Sequence, residues 1–233
     1  MNVFFATIFA VAWKDILLEL RTKNVITAVL TFALVSMVIF NFAFEPTPKI
    51  IAIVAPGILW VAITFAGILG LNRSFSMEEE NESLEGLLLC PVTRDVIYFG
   101  KLLGIFLFML VAEAVLLPVF AILYNLDVFD IGMLVIMILT TLGFAGIGTL
   151  FSAIAVNTRS REMMLPMLLL PIASPIIIAA VESTRIVLDG GTWNEIGRWW
   201  QLILAFDVIF LIASSFVFGF LLVLLCAIEL KHR

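Results

Sequence analysis

Six long apolar stretches dominate this chain and limit what it can fold into. They cover residues 25–44, 50–71, 102–124, 131–156, 163–181 and 208–228. A helix needs about 20 apolar residues to cross the ~30 Å hydrocarbon core of a bilayer, and each stretch is close to that length. Because backbone groups in lipid have no water to bond, each stretch is predicted to be a helix that satisfies its own hydrogen bonds. The prediction is a single all-α domain over residues 1–233, a polytopic membrane protein with six transmembrane helices.

The composition excludes several classes of protein. Of the 233 residues, 63% are hydrophobic and 13% are charged, and the mean hydropathy is +1.20, which is outside the range of soluble domains. Cys90 and Cys226 fit no zinc, haem-attachment or redox spacing, and His232 is the only histidine. We therefore predict that this chain itself binds no metal or cofactor, and we expect no nucleic-acid partner.

The distribution of basic residues predicts the orientation in the membrane. Ten of the 13 lysines and arginines lie in the N-terminal segment, the connection 72–101, the connection after the fourth stretch and the C-terminus. Under the positive-inside rule these parts face the cytoplasm, which places both termini on that side.

Residues 1–23 precede the first stretch and are predicted to form a helix in the cytoplasmic membrane interface. Their apolar residues share one helical face, and a longer first span is the alternative. The face consists of Phe5, Phe9, Ala12, Trp13, Ile16 and Leu20.

On the opposite side of the membrane, residues 182–201 are predicted to be a long connection with an interfacial segment marked by Trp193, Trp199 and Trp200. Tryptophan favours the membrane boundary, so we interpret these residues as anchors, with haem stacking as the alternative. Asp207 and Glu229 are assigned to the ends of spans, where charges are common.

An acidic segment interrupts the apolar pattern between the second and third stretches. Ser76 and Glu79 have the spacing of a capping box, which predicts that a short helix begins there. Leu84, Leu87 and Leu88 then form an apolar ridge, and Pro91 ends the helix. We call residues 76–94 the docking segment, because the ridge favours a protein partner over a merely solvated loop.

The docking segment is also part of a wider resemblance, which runs in order through nearly the whole chain. The residues that carry it are Ala55, Pro56, Gly57, Trp60, Val61, Ala62, Arg73, Phe75, Ser83, Leu84, Glu85, Pro91, Lys101, Leu126, Asp127, Val128, Leu142, Gly143, Phe144, Gly146, Arg159, Leu170, Pro171 and Pro175. With these residues the chain resembles ABC-2 type permeases, and in particular the haem exporter protein B family, the permease of the cytochrome c maturation ABC complex. The run Glu78-Glu79-Glu80 departs from that pattern.

The resemblance implies partners and a site. A cytoplasmic ABC ATPase subunit would dock on Ser83, Leu84, Glu85, Leu87, Leu88, Pro91 and Arg94. A haem-handling membrane subunit and a second permease copy are the other expected partners. Within the family, haem contact belongs to a membrane subunit with a tryptophan-rich signature, which Trp199-Trp200-Gln201 does not reproduce. Haem is therefore expected as cargo and not as a bound cofactor.

The sequence contains no nucleotide-binding motif. The phosphate-binding pattern G-x-x-x-x-G-K-[ST] is absent, because the one Gly-Lys pair, Gly100-Lys101, has neither the earlier glycine nor the following Ser or Thr. ATP would therefore be bound and hydrolysed in a partner subunit, and the chain is not predicted to be an enzyme.

Glu113 lies near the middle of the third stretch, where an ionisable residue costs about 3 kcal/mol on insertion scales. It is a candidate for a translocation path or a proton relay. The alternative is a carboxyl group that fastens two helices, with Thr140, Thr141 or Ser174 as its partner.

Two further patterns concern helix packing. Gly143, Gly146 and Gly148 are predicted to let helices approach closely. Pro166, Pro171 and Pro175 are predicted to break or kink the fifth span unless neighbours satisfy the freed carbonyl groups.

The leading hypothesis is the transmembrane subunit of an ABC complex for haem export or haem handling. The alternatives are an ABC-2 exporter of a lipid, drug or glycan, and a gradient-driven secondary transporter that uses Glu113.

Overall fold

The computed structural model describes residues 2–22, 24–44, 48–80, 94–155 and 161–232. These residues form seven α-helices and contain no strand. The helices are α1 (Asn2–Thr22), α2 (Asn24–Ala43), α3 (Pro48–Glu80), α4 (Arg94–Tyr124), α5 (Ile131–Ala155), α6 (Arg161–Leu188) and α7 (Trp193–His232). The all-α prediction is confirmed.

Five segments of the described residues are long and apolar enough to cross a membrane. They are Ile50–Arg73, Asp95–Tyr124, Ile131–Ala155, Met163–Leu188 and Trp193–Phe220, one in each of α3 to α7. The first predicted span, residues 25–44, corresponds to α2, whose apolar part Thr27–Ala43 is shorter. The chain is thus a polytopic helical membrane protein, with five full-length candidate spans and one shorter apolar helix.

The prediction for residues 182–201 is wrong. Helix α6 continues to Leu188, and α7 already begins at Trp193, so only a tight turn joins them, with Gly190 at a φ of 73°. Asn194, Glu195 and Arg198 lie on the exposed side of α7, while Ile196 and Ile203 are buried. Polar residues in the first turns of a span mark its water-facing side and do not end the helix.

The predicted helix start at Ser76 is also wrong. Helix α3 runs without interruption from Pro48 to Glu80, so Ser76 lies inside it. Residues 72–80 contain neither glycine nor proline, and nothing in that stretch terminates the helix that leaves the membrane. The next helix, α4, begins at Arg94, eight positions before the predicted span.

Helix α5 is the centre of the bundle. It contacts α3, α4, α6 and α7, and 67% of its most apolar stretch is buried within the protein. Side-chain hydrogen bonds tie the surrounding helices together: Tyr98 Oη donates to the carbonyl of Gly146 over 3.1 Å, and Trp60 Nε1 donates to Thr184 Oγ1 over 2.9 Å. In lipid such bonds and close packing replace the hydrophobic effect as the forces between helices.

The glycines of α5 create the close contacts predicted for them. A Cβ atom on Gly146 would lie 2.7 Å from Leu211 of α7, and one on Gly148 would lie 2.5 Å from Leu71 of α3. Neither contact leaves room for a methyl group, so the packing prediction is confirmed.

Helix α6 remains continuous over Arg161–Leu188 although it contains Pro166, Pro171 and Pro175. Pro175 has no N–H that could donate a helical hydrogen bond to the carbonyl oxygen of Pro171. Ser174 Oγ replaces that donor and bonds the Pro171 carbonyl oxygen over 2.8 Å. The predicted break is avoided at this proline because a neighbouring side chain satisfies the freed carbonyl group.

Candidate functional site

Two helices extend into the docking segment, one from each side. Ser83, Leu84, Glu85, Leu87, Leu88 and Pro91 lie outside the described residues. Helix α3 ends before them at Glu80, and α4 begins after them at Arg94. Both of these long helices enter the bundle without an intervening turn.

Helix α1 packs chiefly along α4, close to the point where α4 leaves the docking segment. A Cβ atom on Gly100 would lie 2.7 Å from Val11 Cβ and 3.3 Å from the carbonyl oxygen of Ile8. Glycine is thus required for the two backbones to approach, and the first turns of α4 are held against α1.

The outward face of α1 is apolar as well. Phe9 is 61% exposed and Trp13 is 51% exposed, and their rings stack at 6.2 Å. Ala12, which was predicted to share their face, is 1% exposed and packs inward. The predicted apolar face is therefore divided between protein and surroundings, and its membrane-interfacial location stays a prediction.

Glu113 is buried at the contact between α4 and α5, with an exposed fraction of 3%. The hydroxyl Thr141 Oγ1 donates a hydrogen bond to Glu113 Oε1, while Oε2 has no partner among the described residues. Of the three partners considered from the sequence, the structure selects Thr141. The carboxyl group joins two helices at mid-span.

A shallow crevice too narrow for a water molecule lies beside Glu113, between α3 and α4. Apart from Glu113 its walls are apolar, and they consist of Ile63, Ala66, Gly67, Phe108, Met109, Ala112 and Leu116. This surrounding offers Glu113 Oε2 no second polar group.

Asp207 is an intramembrane carboxyl group that the sequence prediction misplaced at the end of a span. Because α7 starts at Trp193, Asp207 lies well inside the helix and is only 3% exposed. Its atom Oδ1 would be 2.0 Å from a Cβ atom on Gly143, so the carboxyl group rests directly on the backbone of α5. The signal available in the sequence was the helical pattern of Ile196, Ile203 and Asp207, which extends the span towards its N-terminal side.

Glu113 and Asp207 approach α5 from different sides at similar depth. Their contacts, Thr141 and Gly143, are two positions apart, which on a helix corresponds to about 200° of rotation and 3 Å of rise. The central helix therefore has one carboxyl group on either flank, near the middle of the bundle.

Trp193 and Trp200 form an edge-to-face pair at the start of α7, with ring centroids 5.4 Å apart. Trp193 is 55% exposed. As an exposed aromatic ring at the end of a span, Trp193 fits a membrane anchor, whereas Trp200 is part-buried and its Nε1 has no partner among the described residues.

Metal-binding geometry is not found in the described part of the chain. No group of three or more His, Cys, Asp or Glu side chains there could hold an ion. The expectation that the chain binds no cofactor stays a prediction.

Comparison with known proteins gives one consistent answer. The family model described as CcmB protein matches residues 6–223. Heme exporter protein B of Rhodobacter capsulatus is 28% identical over 178 residues, which cover 76% of this chain and 82% of that protein. Heme exporter protein B of Bradyrhizobium diazoefficiens is 25% identical over 204 residues, 87% of this chain and 91% of that protein.

The match extends from α1 into the last third of α7 and includes the docking segment, both carboxyl groups and the central helix α5. The resemblance inferred from Trp60, Ser83-Leu84-Glu85 and the later motifs is thereby confirmed, and this polytopic helical chain belongs to the CcmB protein family, the haem exporter protein B family.

Proposed function

We propose that this chain is the transmembrane permease subunit of an ABC transporter complex for haem export or haem handling in cytochrome c maturation. The observation that carries the proposal is the family match over residues 6–223. Relatives named heme exporter protein B also match this chain over most of their own length. Because the sequence has no phosphate-binding loop, a separate cytoplasmic ATPase subunit supplies the energy.

The ATPase docks on the docking segment, through Ser83, Leu84, Glu85, Leu87, Leu88, Pro91 and Arg94. Two features of the described residues support this assignment. The segment is flanked by helices that continue directly into the bundle, and α1 is fastened to the start of α4 at Gly100. A push on the segment would therefore move α1 and α4 together.

Glu113 fastens α4 to α5 and is not the centre of a gradient-driven transporter. Its bond from Thr141 and the apolar walls of the crevice beside it support this role. A residue that carries ions or protons along a path needs further polar groups within reach, and the walls of this crevice supply none.

A second copy of the chain packs on the exposed face of α6. Met163, Met167, Pro171 and Pro175 lie on this face at four-residue spacing, and Met163 and Met167 are 76% and 79% exposed. Pro171 leaves the carbonyl of Met167 without its usual helical donor. Protein fits this surface better than lipid.

The remaining assignments follow from the family. The complex lies in a bacterial inner membrane, with both termini of this chain in the cytoplasm and a haem-handling membrane subunit beside it. Haem is cargo, and ATP stays in the partner subunit.

The test uses Glu85→Lys with Asp189→Lys as the matched control, because both reverse one charge on a connection and lie on predicted opposite sides of the membrane. In cells that depend on this chain, Glu85→Lys should reduce co-purification of the ATPase and the yield of c-type cytochromes at least several-fold, while Asp189→Lys should leave both unchanged.

Undiminished co-purification with both Glu85→Lys and Leu84→Asp would contradict the docking assignment. Normal cytochrome c maturation in cells that lack this chain would contradict the haem assignment and leave the docking assignment intact.

A further inference from the structure

A buried tyrosine ties the start of α4 to the central helix, next to the docking segment. Tyr98 lies one turn after Arg94, where α4 begins, and it is 0% exposed. Its hydroxyl group donates to the carbonyl oxygen of Gly146 over 3.1 Å. Because a hydrogen bond is directional, this contact fixes the position of α4 along α5.

The ring of the same tyrosine packs on α7. The centroids of the Tyr98 and Phe218 rings are 5.4 Å apart, and Phe218 is only 3% exposed. One turn closer to the docking segment, Asp95 Oδ1 would lie 4.0 Å from a Cβ atom on Gly219, so the contact between α4 and α7 extends over a full turn. A single side chain of α4 thus contacts both α5 and α7.

The contact between α5 and α7 completes the same junction. A Cβ atom on Gly146 would lie 2.7 Å from Leu211 of α7 and 3.5 Å from Tyr98 Oη. The glycine therefore lets α7 approach α5 at the residue whose carbonyl group accepts the bond from Tyr98. Three helices meet closely at this point.

A second contact, two positions further along α4, does not involve the tyrosine hydroxyl group. Gly100 lies against Val11 and the carbonyl oxygen of Ile8, and this contact joins α4 to α1. The start of α4 is therefore attached to α1 at one point and to α5 and α7 at another. Removal of the hydroxyl group of Tyr98 would loosen only the second attachment.

We propose that Tyr98 is the positioning residue that carries movement of the docking segment from α4 into α5 and α7. The inference rests on the proposed function, because it takes the ATPase as the source of that movement. When the start of α4 shifts, the bond to Gly146 draws α5 along, and the packing of the ring on Phe218 draws α7. Without the hydroxyl group, α4 still moves α1 through Gly100 but slides against α5 and α7, since the directional contact is gone.

The chain offers a matched control on the same helix. Its only other tyrosine, Tyr124, is 5% exposed, and its hydroxyl group also donates to a backbone carbonyl oxygen over 3.1 Å, that of Met37. Tyr124 lies about 39 Å further along α4, where its bond joins α4 to α2. Replacement by phenylalanine removes the same type of bond at both positions, so a merely structural effect would be the same for both.

The experiment measures helix movement by double electron–electron resonance on the complex of this chain with its ATPase, transferred from native membranes into nanodiscs. Spin labels are attached through a non-natural amino acid, so that Cys90 and Cys226 stay native, and labelled chain is diluted with unlabelled chain. One label replaces the exposed Ile178 of α6, a helix that does not flank the docking segment. The second label replaces the exposed Phe9 of α1 or the exposed Phe216 of α7.

In the native complex, both the α6–α1 and the α6–α7 distance should shift when ATP and vanadate are added. Tyr98→Phe should at least halve the shift of the α6–α7 distance and leave that of the α6–α1 distance unchanged. In cells it should lower the yield of c-type cytochromes several-fold, while the ATPase still co-purifies. Tyr124→Phe should leave both shifts and the cytochrome yield unchanged.

Three results would overturn the inference and leave the proposed function intact. The first is a native complex in which only the α6–α1 distance responds to ATP and vanadate. The second is an equal α6–α7 shift in the native and Tyr98→Phe complexes, and the third is an equal loss of that shift in Tyr98→Phe and Tyr124→Phe.

Loss of ATPase co-purification in Tyr98→Phe also overturns the inference, because the residue would then maintain the docking surface instead of transmitting its movement. If neither distance responds in the native complex, the ATPase does not drive this chain, and the proposed function fails together with the inference.

Discussion

Replacing Thr141 by valine removes the hydroxyl that bonds Glu113 Oε1 and keeps the branched shape of the side chain. Side-chain hydrogen bonds between membrane helices average about 0.6 kcal/mol and reach about 1.7 kcal/mol. Glu113 Oε2 already has no partner among the described residues, so the change leaves neither oxygen of the carboxyl group with one, at a cost of about 1–3 kcal/mol. We expect the free energy of unfolding to fall by about 1–2 kcal/mol.

Thr140 provides the matched control in the adjacent position. Both threonines are buried, at 1% and 0% exposure for Thr140 and Thr141, and both would receive the same substitution in the same helix. Thr140 makes no direct bond to another described residue, so Thr140→Val should cost less than about 0.5 kcal/mol. The comparison cancels the effects of valine on helix propensity and on local packing.

The assay is reversible unfolding in mixed micelles by titration with sodium dodecyl sulfate, extrapolated to zero denaturant. A Glu113→Leu background completes a double-mutant cycle, in which Thr141→Val should have no further effect because its partner is gone. The reasoning is refuted if Thr140→Val costs as much as Thr141→Val, or if the cost of Thr141→Val is the same in both backgrounds.

Two glycine positions yield the remaining predictions. Gly100→Leu should loosen α1 from α4 and speed proteolysis within α1, because even a Cβ atom at this position would lie 2.7 Å from Val11 Cβ. The control Gly197→Leu, where nothing lies within 4 Å of the built Cβ atom, should leave the rate unchanged. Equal proteolysis rates for the two variants would argue against the close contact. Gly190→Ala should destabilise the protein by about 1–2 kcal/mol, because the residue adopts a positive φ of 73°. Gly197→Ala, inside α7, should stabilise it by up to about 1 kcal/mol. Unfolding in micelles measures both changes, and stabilisation by Gly190→Ala would contradict the assigned turn.

The central helix shows how far packing could be inferred from composition alone. The three glycines of α5 predicted close helix contacts, and those contacts exist. Which helices would make them was not predictable, because a glycine leaves space for any neighbour. Only the folded chain shows that Gly143 meets Asp207 of α7 while Gly148 meets Leu71 of α3.

Helix ends were the least predictable feature, for a physical reason that Ser76 and Trp193 illustrate. Outside the hydrocarbon, a helix is free to continue into water as long as no glycine or proline stops it, and apolar length does not report that continuation. Helix α3 therefore passes through Ser76 and its capping pattern. At α7 the candidate span itself begins at Trp193, 15 positions before the predicted start at Val208, because polar residues in its first turns hid the start of the span.

The amino-acid sequence by itself determined that this chain is a helical membrane protein and which family it resembles, because apolar length and ordered short motifs are properties of neighbouring residues. Tertiary structure alone decided the surroundings of the polar groups inside the bundle. Glu113 and Asp207 look equivalent as isolated acidic residues in apolar stretches, yet one receives a bond from Thr141 and the other rests on Gly143 without a partner among the described residues. That difference depends on which helices meet at mid-membrane, and residues far apart in the chain determine it.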